Sequence, residues 1–322
     1  MKTFPELLSL ARLGSENVDY SDSTGIQDDE IYQHLTDAVR RLESVIFVRH
    51  PKAFLKQKVI AIGANVEMVY IPSDCYMKNR FLLVEWSNSS DERGFYTLKK
   101  GNLQERYTGS KGHPIYYIPI GEKFILKPST NNGGFVRLVY QLAQPAADTK
   151  RGVIASGGLT VNSTTRTISG ITLDAASTST PLDSTSINTK QFLTVVDRYG
   201  VTKVKDLEIV EVDPLSGVLS LYGGSHVYDT DESIAEGDFV CLGGYSSFKS
   251  TFTNNCERYI LQYAIWKMQK RDSNVDNGEA IIELQQLEAD IIASYSEPDS
   301  DVDYVSIIDS QYIGTDYDQG LY

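Results

Sequence analysis

Residues 112–140, GHPIYYIPIGEKFILKPSTNNGGFVRLVY, are the stretch that decides the fold. Apolar and polar residues alternate in short runs, and Gly or Pro separates one run from the next. A period of two is typical of strands that bury one face. The stretch therefore predicts an antiparallel β-meander that forms a rigid platform. Residues at its turns and strand ends are expected to shape this platform: Gly112, Pro114, Tyr117, Gly121, Pro128 and Tyr140.

Two helices are predicted before the platform. The first begins at a capping box with Pro in its first turn, Thr3-Phe4-Pro5-Glu6, and ends at Gly14. The second carries apolar residues at helical spacing: Ile31, Leu35, Ala38, Leu42 and Val45. This pattern is typical of an amphipathic helix that packs against a core.

After the platform, the chain returns to strand patterns and then to helices. Residues 159–173 alternate, and a turn with Pro and Gly at 213–217 joins two further apolar runs. Apolar residues from Tyr259 to Met268 and from Ala280 to Ile291 predict an antiparallel pair of helices.

The predicted fold class is α+β, with an antiparallel β-meander platform, a helical bundle formed by the N- and C-terminal helices, and an inserted all-β domain. The predicted segments are N-terminal helices in 1–57, the platform in 58–148, the inserted β domain in 149–250, a helical hairpin in 251–296 and an extended acidic tail in 297–322.

The composition limits the function. The net charge of −13 argues against an ordinary nucleic-acid-binding surface, which needs clustered Lys and Arg. Three distant Cys predict neither a disulfide framework nor a zinc site, and no membrane segment is expected. These features favour a protein that is made in a reducing cytoplasm.

The sequence predicts no catalytic residues, no metal site and no cofactor, and hence no enzyme. Its four His lack a recognisable partner, and no phosphate-binding loop or nucleophile elbow is present. The densest basic patch includes Arg40, Arg41, Arg49 and Lys52. It is either a solvated helix end or a docking site for an acidic partner.

The C-terminal tail contains seven acids and no Lys or Arg. Acid content alone would predict a solvated tail. The apolar and aromatic residues among the acids instead suggest a segment that docks onto a partner: Tyr304, Val305, Ile307, Ile308, Tyr312 and Ile313.

The order of these elements resembles the head-to-tail connector proteins of tailed bacteriophages, also called adaptor or neck proteins. The resemblance lies in an acidic turn between the first two helices (Asp19-Tyr20-Ser21-Asp22), a strand leaving through Tyr70-Ile71-Pro72-Ser73-Asp74, the Gly, Pro and Tyr positions of the platform, and the closing helix pair. Family members usually pass directly from the platform to these helices, so residues 149–250 are a departure.

The resemblance implies a structural virion protein, assembled in the host cytoplasm and located in the neck between capsid and tail. It implies a dodecameric ring below the portal protein, with contacts to neighbouring copies, to tail or nozzle proteins, and to DNA that passes without sequence-specific binding. In this interpretation the C-terminal tail grips the portal. Two alternatives are a carbohydrate- or receptor-binding structural protein, suggested by the Ser/Thr-rich β region, and an acidic hydrolase.

Overall fold

The computed structural model describes most of the chain. The described residues are 1–15, 26–72, 74–78, 81–89, 94–104, 111–121, 123–162, 167–174, 191–213, 216–222, 234–273 and 278–295. They form a mixed α+β protein with four α-helices and several β-sheets, one of which closes into a six-stranded barrel.

The helices are α1 (Phe4–Gly14), α2 (Asp28–Arg49), α3 (Glu257–Ser273) and α4 (Gly278–Tyr295). α1 begins as predicted, because the Thr3 hydroxyl accepts the Glu6 amide and the Glu6 carboxylate accepts the Thr3 amide at 2.7 Å. Both exchanges satisfy amides that the first helical turn leaves without a partner. α2 starts with three acids, whose negative charges interact favourably with the positive N-terminal end of the helix dipole.

Side chains from all four helices share one hydrophobic core. Its fully buried members include Phe4 and Leu7 of α1, Leu35 and Leu42 of α2, and Ile260 and Met268 of α3, while α4 contributes Leu284 and Ile291. Ion pairs such as Arg258–Glu283 at 2.8 Å lie at the surface of these contacts. Exposed pairs of this kind contribute little to stability, so apolar burial holds the helices together. None of the helices in the described residues is both long and apolar enough to cross a membrane.

The first β unit contains eight strands: β1 (Leu55–Ile62), β2 (Met68–Tyr70), β3 (Phe81–Ser87), β4 (Tyr96–Thr97), β5 (Lys99–Lys100), β6 (Tyr116–Ile120), β7 (Lys123–Lys127) and β8 (Gly134–Gln141). They form two four-stranded sheets with the orders β1-β8-β3-β4 and β2-β7-β6-β5. Trp86 and Leu138 of one sheet share a core with Phe124 and Leu126 of the other. The unit is therefore a β-sandwich.

The predicted meander is only partly formed. β6 and β7 pair as a hairpin around Gly121, whose φ of +60° suits the turn, but β8 pairs with β1 and β3 in the opposite sheet. The connection from Pro128 to Gly133 leads from β7 in one sheet to β8 in the other. Alternation in the sequence shows that β8 buries one face. It does not show whether β8 pairs with β7 in the same sheet or lies in the facing sheet, because the same face is buried in both arrangements.

The second β unit follows with β9 (Ala146–Ala147), β10 (Gly152–Asn162), β11 (Thr167–Leu173), β12 (Phe192–Val196), β13 (Thr202–Asp213), β14 (Val218–Leu221), β15 (Phe239–Leu242) and β16 (Ser246–Ser247). Six of them close an antiparallel barrel in the order β10-β11-β14-β13-β12-β15. β9 and β16, through which the chain enters and leaves the barrel, pair in parallel. The two ends of the barrel segment are thus side by side, as an insertion requires.

Candidate interaction surfaces and the polar hub

A buried carboxylate joins the barrel to the sandwich. Asp74 is 4% exposed, and it follows the Pro72 exit of β2. Its Oδ1 accepts the Tyr140 hydroxyl of β8 at 2.9 Å and the Lys205 ammonium of β13 at 3.0 Å, and its Oδ2 accepts Lys56 of β1 at 3.2 Å. We call these four side chains the polar hub.

The electrostatics of the polar hub favour the ionised carboxylate. Burial alone would raise the pKa of Asp74. The charges of Lys205 and Lys56 and the hydrogen bond from Tyr140 together have a larger, opposite effect, so the pKa of Asp74 is lowered. Burial also lowers the pKa of Lys205, which Asp74 only partly offsets, and it raises the pKa of Tyr140. The hub is fully hydrogen-bonded at Asp74, which makes it a structural joint between the two β units.

Two further buried carboxylates fix the segment between sandwich and barrel. Glu43 of α2 accepts the Gln144 amide at 2.6 Å, and burial raises its pKa. Asp148 accepts Arg151 through both carboxylate oxygens and the Leu242 amide at 2.6 Å. These bonds tie the start of the barrel to α2 and to β15.

One outer face of the sandwich carries exposed apolar side chains on β1 and its neighbours. Leu55 and Val59 are 44% and 43% exposed, and half-buried Val139 and Leu83 lie opposite each other on β8 and β3. Residues directly opposed on paired strands share a face. We name these four residues face one.

The opposite outer face has a second apolar set. Met68 and Tyr70 of β2 are 51% and 73% exposed, and the register places Ile125 beside Met68 and Ile120 in the row of Tyr70. The Lys123 ammonium lies 5.8 Å from the centre of the Tyr70 ring. We name Met68, Tyr70, Ile120 and Ile125 face two; since the two sheets share their inner core, faces one and two point away from each other.

The predicted basic patch divides into two parts. Arg40 pairs with Glu43 at 3.0 Å, and Arg41 pairs with Glu288 of α4 at 3.2 Å. Arg49 and Lys52 are exposed at and beyond the end of α2, and the structure shows no ion pair between them and another described residue. Two of the four charges thus have ion-pair partners within the chain.

The predicted platform residues occupy different places in the sandwich. Tyr117 packs edge-on against Phe81 and Phe124, the carbonyl of buried Pro114 accepts the Tyr96 hydroxyl at 2.8 Å, and Tyr140 belongs to the polar hub. The other three lie in connections: Gly112 before β6, Gly121 between β6 and β7, and Pro128 after β7. The predicted tail residues, Tyr304 to Ile313, lie outside the described residues.

Sequence reasoning did not identify Lys205 or the residues of faces one and two as functional. Asp74 is the last residue of the Tyr70–Asp74 pattern in the sequence, but the residues that contact its carboxylate are distant in sequence. No family model matches the chain, and no curated protein is significantly similar to it.

Proposed function

We propose that the chain is a structural subunit of an oligomeric head-to-tail connector ring, which lies below a portal protein, surrounds a DNA passage and offers a docking surface to tail components. In this proposal the sandwich is the platform, the four helices form a bundle that supports the channel, and the barrel is an added module.

The observation that carries the proposal is the pair of apolar faces on opposite sides of the sandwich. A cyclic ring with more than two members needs two different, complementary surfaces on every subunit, because each copy contacts its two neighbours differently. In this proposal faces one and two are the two different surfaces. Face one exposes Leu55 and Val59, face two exposes Met68 and Tyr70, and burying these side chains against a neighbouring copy would be favourable.

The charge of the chain supports a passage more than a binding site for DNA. A net charge of −13 repels phosphates, so a channel built from many copies would let a duplex slide without adhering to the wall. In the same proposal the acidic tail, residues 297–322, docks onto the portal, and the barrel contacts tail or nozzle proteins.

The ring is tested by measuring particle mass and shape. We expect the purified protein, alone at high concentration or mixed with a portal ring, to form closed rings that are visible by negative-stain electron microscopy. Mass photometry would give the copy number. A chain that stays monomeric at every concentration and does not bind the portal would refute the proposal.

Single substitutions test the surfaces. Val59→Lys on face one and Tyr70→Lys on face two should each abolish ring formation, because each buries a charge in an apolar contact. Val210→Lys is the matched control, since Val210 is 52% exposed on the barrel and belongs to neither face. All three variants should keep the melting temperature of the parent protein.

A further inference from the structure

A cavity of about 390 Å³ opens at one end of the sandwich, away from the polar hub. Three connections surround it: the segment after β3 with Asn88, the segment before β6 with Gly112 and His113, and the turn from Thr130 to Gly133. Its volume is within the usual range for small-molecule sites.

Backbone contacts hold the walls of this cavity in place. The Gly112 amide donates to the Ser129 carbonyl at 2.9 Å, and the Asn65 amide donates to the Thr130 carbonyl at 3.0 Å. Gly133 has a φ of +78°, and a Cβ at this position would lie 2.5 Å from the Ile62 carbonyl oxygen. The turn is therefore fixed against β1, and the cavity is formed before any ligand arrives.

The side chains around the cavity are hydrogen-bonding groups above the Trp86 ring and the Thr130 side chain. Asn88, His113, Asn131 and Asn132 are exposed at its rim, whereas Thr130 and Trp86 are buried below them. The Trp86 ring nitrogen donates to the Asn88 side-chain oxygen at 3.3 Å. None of the described residues that line the cavity is Asp, Glu, Lys or Arg.

This combination favours one class of ligand. An amide side chain has an acceptor and two donors, and a sugar hydroxyl both donates and accepts, so neighbouring amides match neighbouring hydroxyls. A phosphate or carboxylate ligand would instead need Arg, Lys or a helix N-terminus. A purely apolar ligand would leave the rim amides without partners.

We propose that this cavity is a binding site for a neutral carbohydrate, at the scale of one or two sugar rings. Asn131 and Asn132 hold the hydroxyls, and Asn88 transmits binding to Trp86. The proposal does not depend on ring formation. Sugar binding and ring formation are measured by separate assays, so either can fail without the other.

Tryptophan fluorescence gives a direct test. The chain has only two Trp residues, and Trp266 lies on α3, so a Trp266→Phe variant reports on Trp86 alone. Glucose, galactose, mannose and N-acetylglucosamine would be titrated separately into this variant, with saturation-transfer NMR on the parent protein as a second readout. We expect a saturable change with at least one of these sugars.

Substitutions locate the effect. Asn131→Ala and Asn132→Ala, each made in the Trp266→Phe background, should weaken the binding at least about fivefold, since each removes one hydroxyl partner. Asn255→Ala, an exposed amide beside α3, is the matched control and should bind like its parent. Far-UV circular dichroism would confirm that the variants fold.

Three results would overturn the proposal. The first is the absence of a saturable response to all four sugars in both assays. The second is unchanged affinity in folded Asn131→Ala and Asn132→Ala variants. The third is an equal response to sulfate at the same concentration, which would identify an anion site.

Discussion

Replacing Asp74 by Asn should strongly destabilise the protein, because Lys205 would remain largely buried without its counter-charge. At the observed 3.0 Å, and at an effective dielectric of 20, the direct attraction between the two charges is roughly 5 kcal/mol. Removing one partner of a buried pair typically costs about 3–5 kcal/mol, and we expect a loss in that range for Asp74→Asn.

The companion variant should be milder. In Lys205→Met, Asp74 keeps Lys56 at 3.2 Å and Tyr140 at 2.9 Å, so a loss of about 1–2 kcal/mol is expected. The double variant should then be less destabilised than the sum of the two single variants, with a coupling energy of about 1.5–3 kcal/mol.

Urea unfolding, followed by far-UV circular dichroism and by tryptophan fluorescence, measures all four free energies. Additive losses, with a coupling below about 0.5 kcal/mol, would refute the assignment of Asp74 and Lys205 as the joint between sandwich and barrel.

The pH dependence of this joint has a definite sign. The pKa of Asp74 is lowered on folding, so its contribution is present above the unfolded pKa of about 4 and is lost as the pH falls through the lower folded value. The difference in stability between the parent protein and Asp74→Asn should therefore shrink on acidification below about pH 4. A difference that grows in that range would contradict the lowered pKa.

Two local predictions follow from the backbone. Thr3→Ala removes the capping box with Glu6 and should cost about 1 kcal/mol in urea unfolding, and an unchanged midpoint would show that the cap contributes nothing. Gly134→Ala should cost more than about 2 kcal/mol and shift the emission of Trp86, because the new Cβ would lie 2.3 Å from the Trp86 ring. Gly121→Ala is its control: the space around Gly121 is open, so only its φ of +60° should matter, at about 1–2 kcal/mol, and an equal loss in both variants would refute the steric explanation.

Local patterns predicted the helices well. The capping box at Thr3 and the apolar spacing of Leu35 and Leu42 are signals that lie within a few residues, and the structure confirms both helices. The hairpin of β13 and β14 could also be predicted from local sequence, because Pro and Gly in residues 213–217 indicate a turn. The structure pairs Asp213 with Val218.

Pairing between strands that are distant in sequence could not be predicted from local patterns. The barrel closes where Gly152 and Val153 of β10 meet Val240 and Phe239 of β15, and nothing near either strand encodes this pairing. The place of β8 in the opposite sheet was missed because burial of alternate residues does not say which strand lies alongside.

The candidate surfaces show the same limit. The sequence pattern drew attention to Asp74, but it could not show that Lys205 reaches it from the barrel. Val59 and Tyr70 look like ordinary strand residues in the sequence, and only their exposure in the folded sandwich reveals two apolar faces.

The central claim is that copies of the chain associate through two different faces, and mixing two blocked variants tests it most directly. Val59→Lys lacks a working face one, and Tyr70→Lys lacks a working face two, so each alone should be monomeric. Mixed in equal amounts, they retain one intact contact between them. We predict a one-to-one dimer with twice the 35.9 kDa mass of one chain, measured by light scattering after size exclusion. A mixture that stays monomeric, or a single variant that still self-associates, would contradict the account.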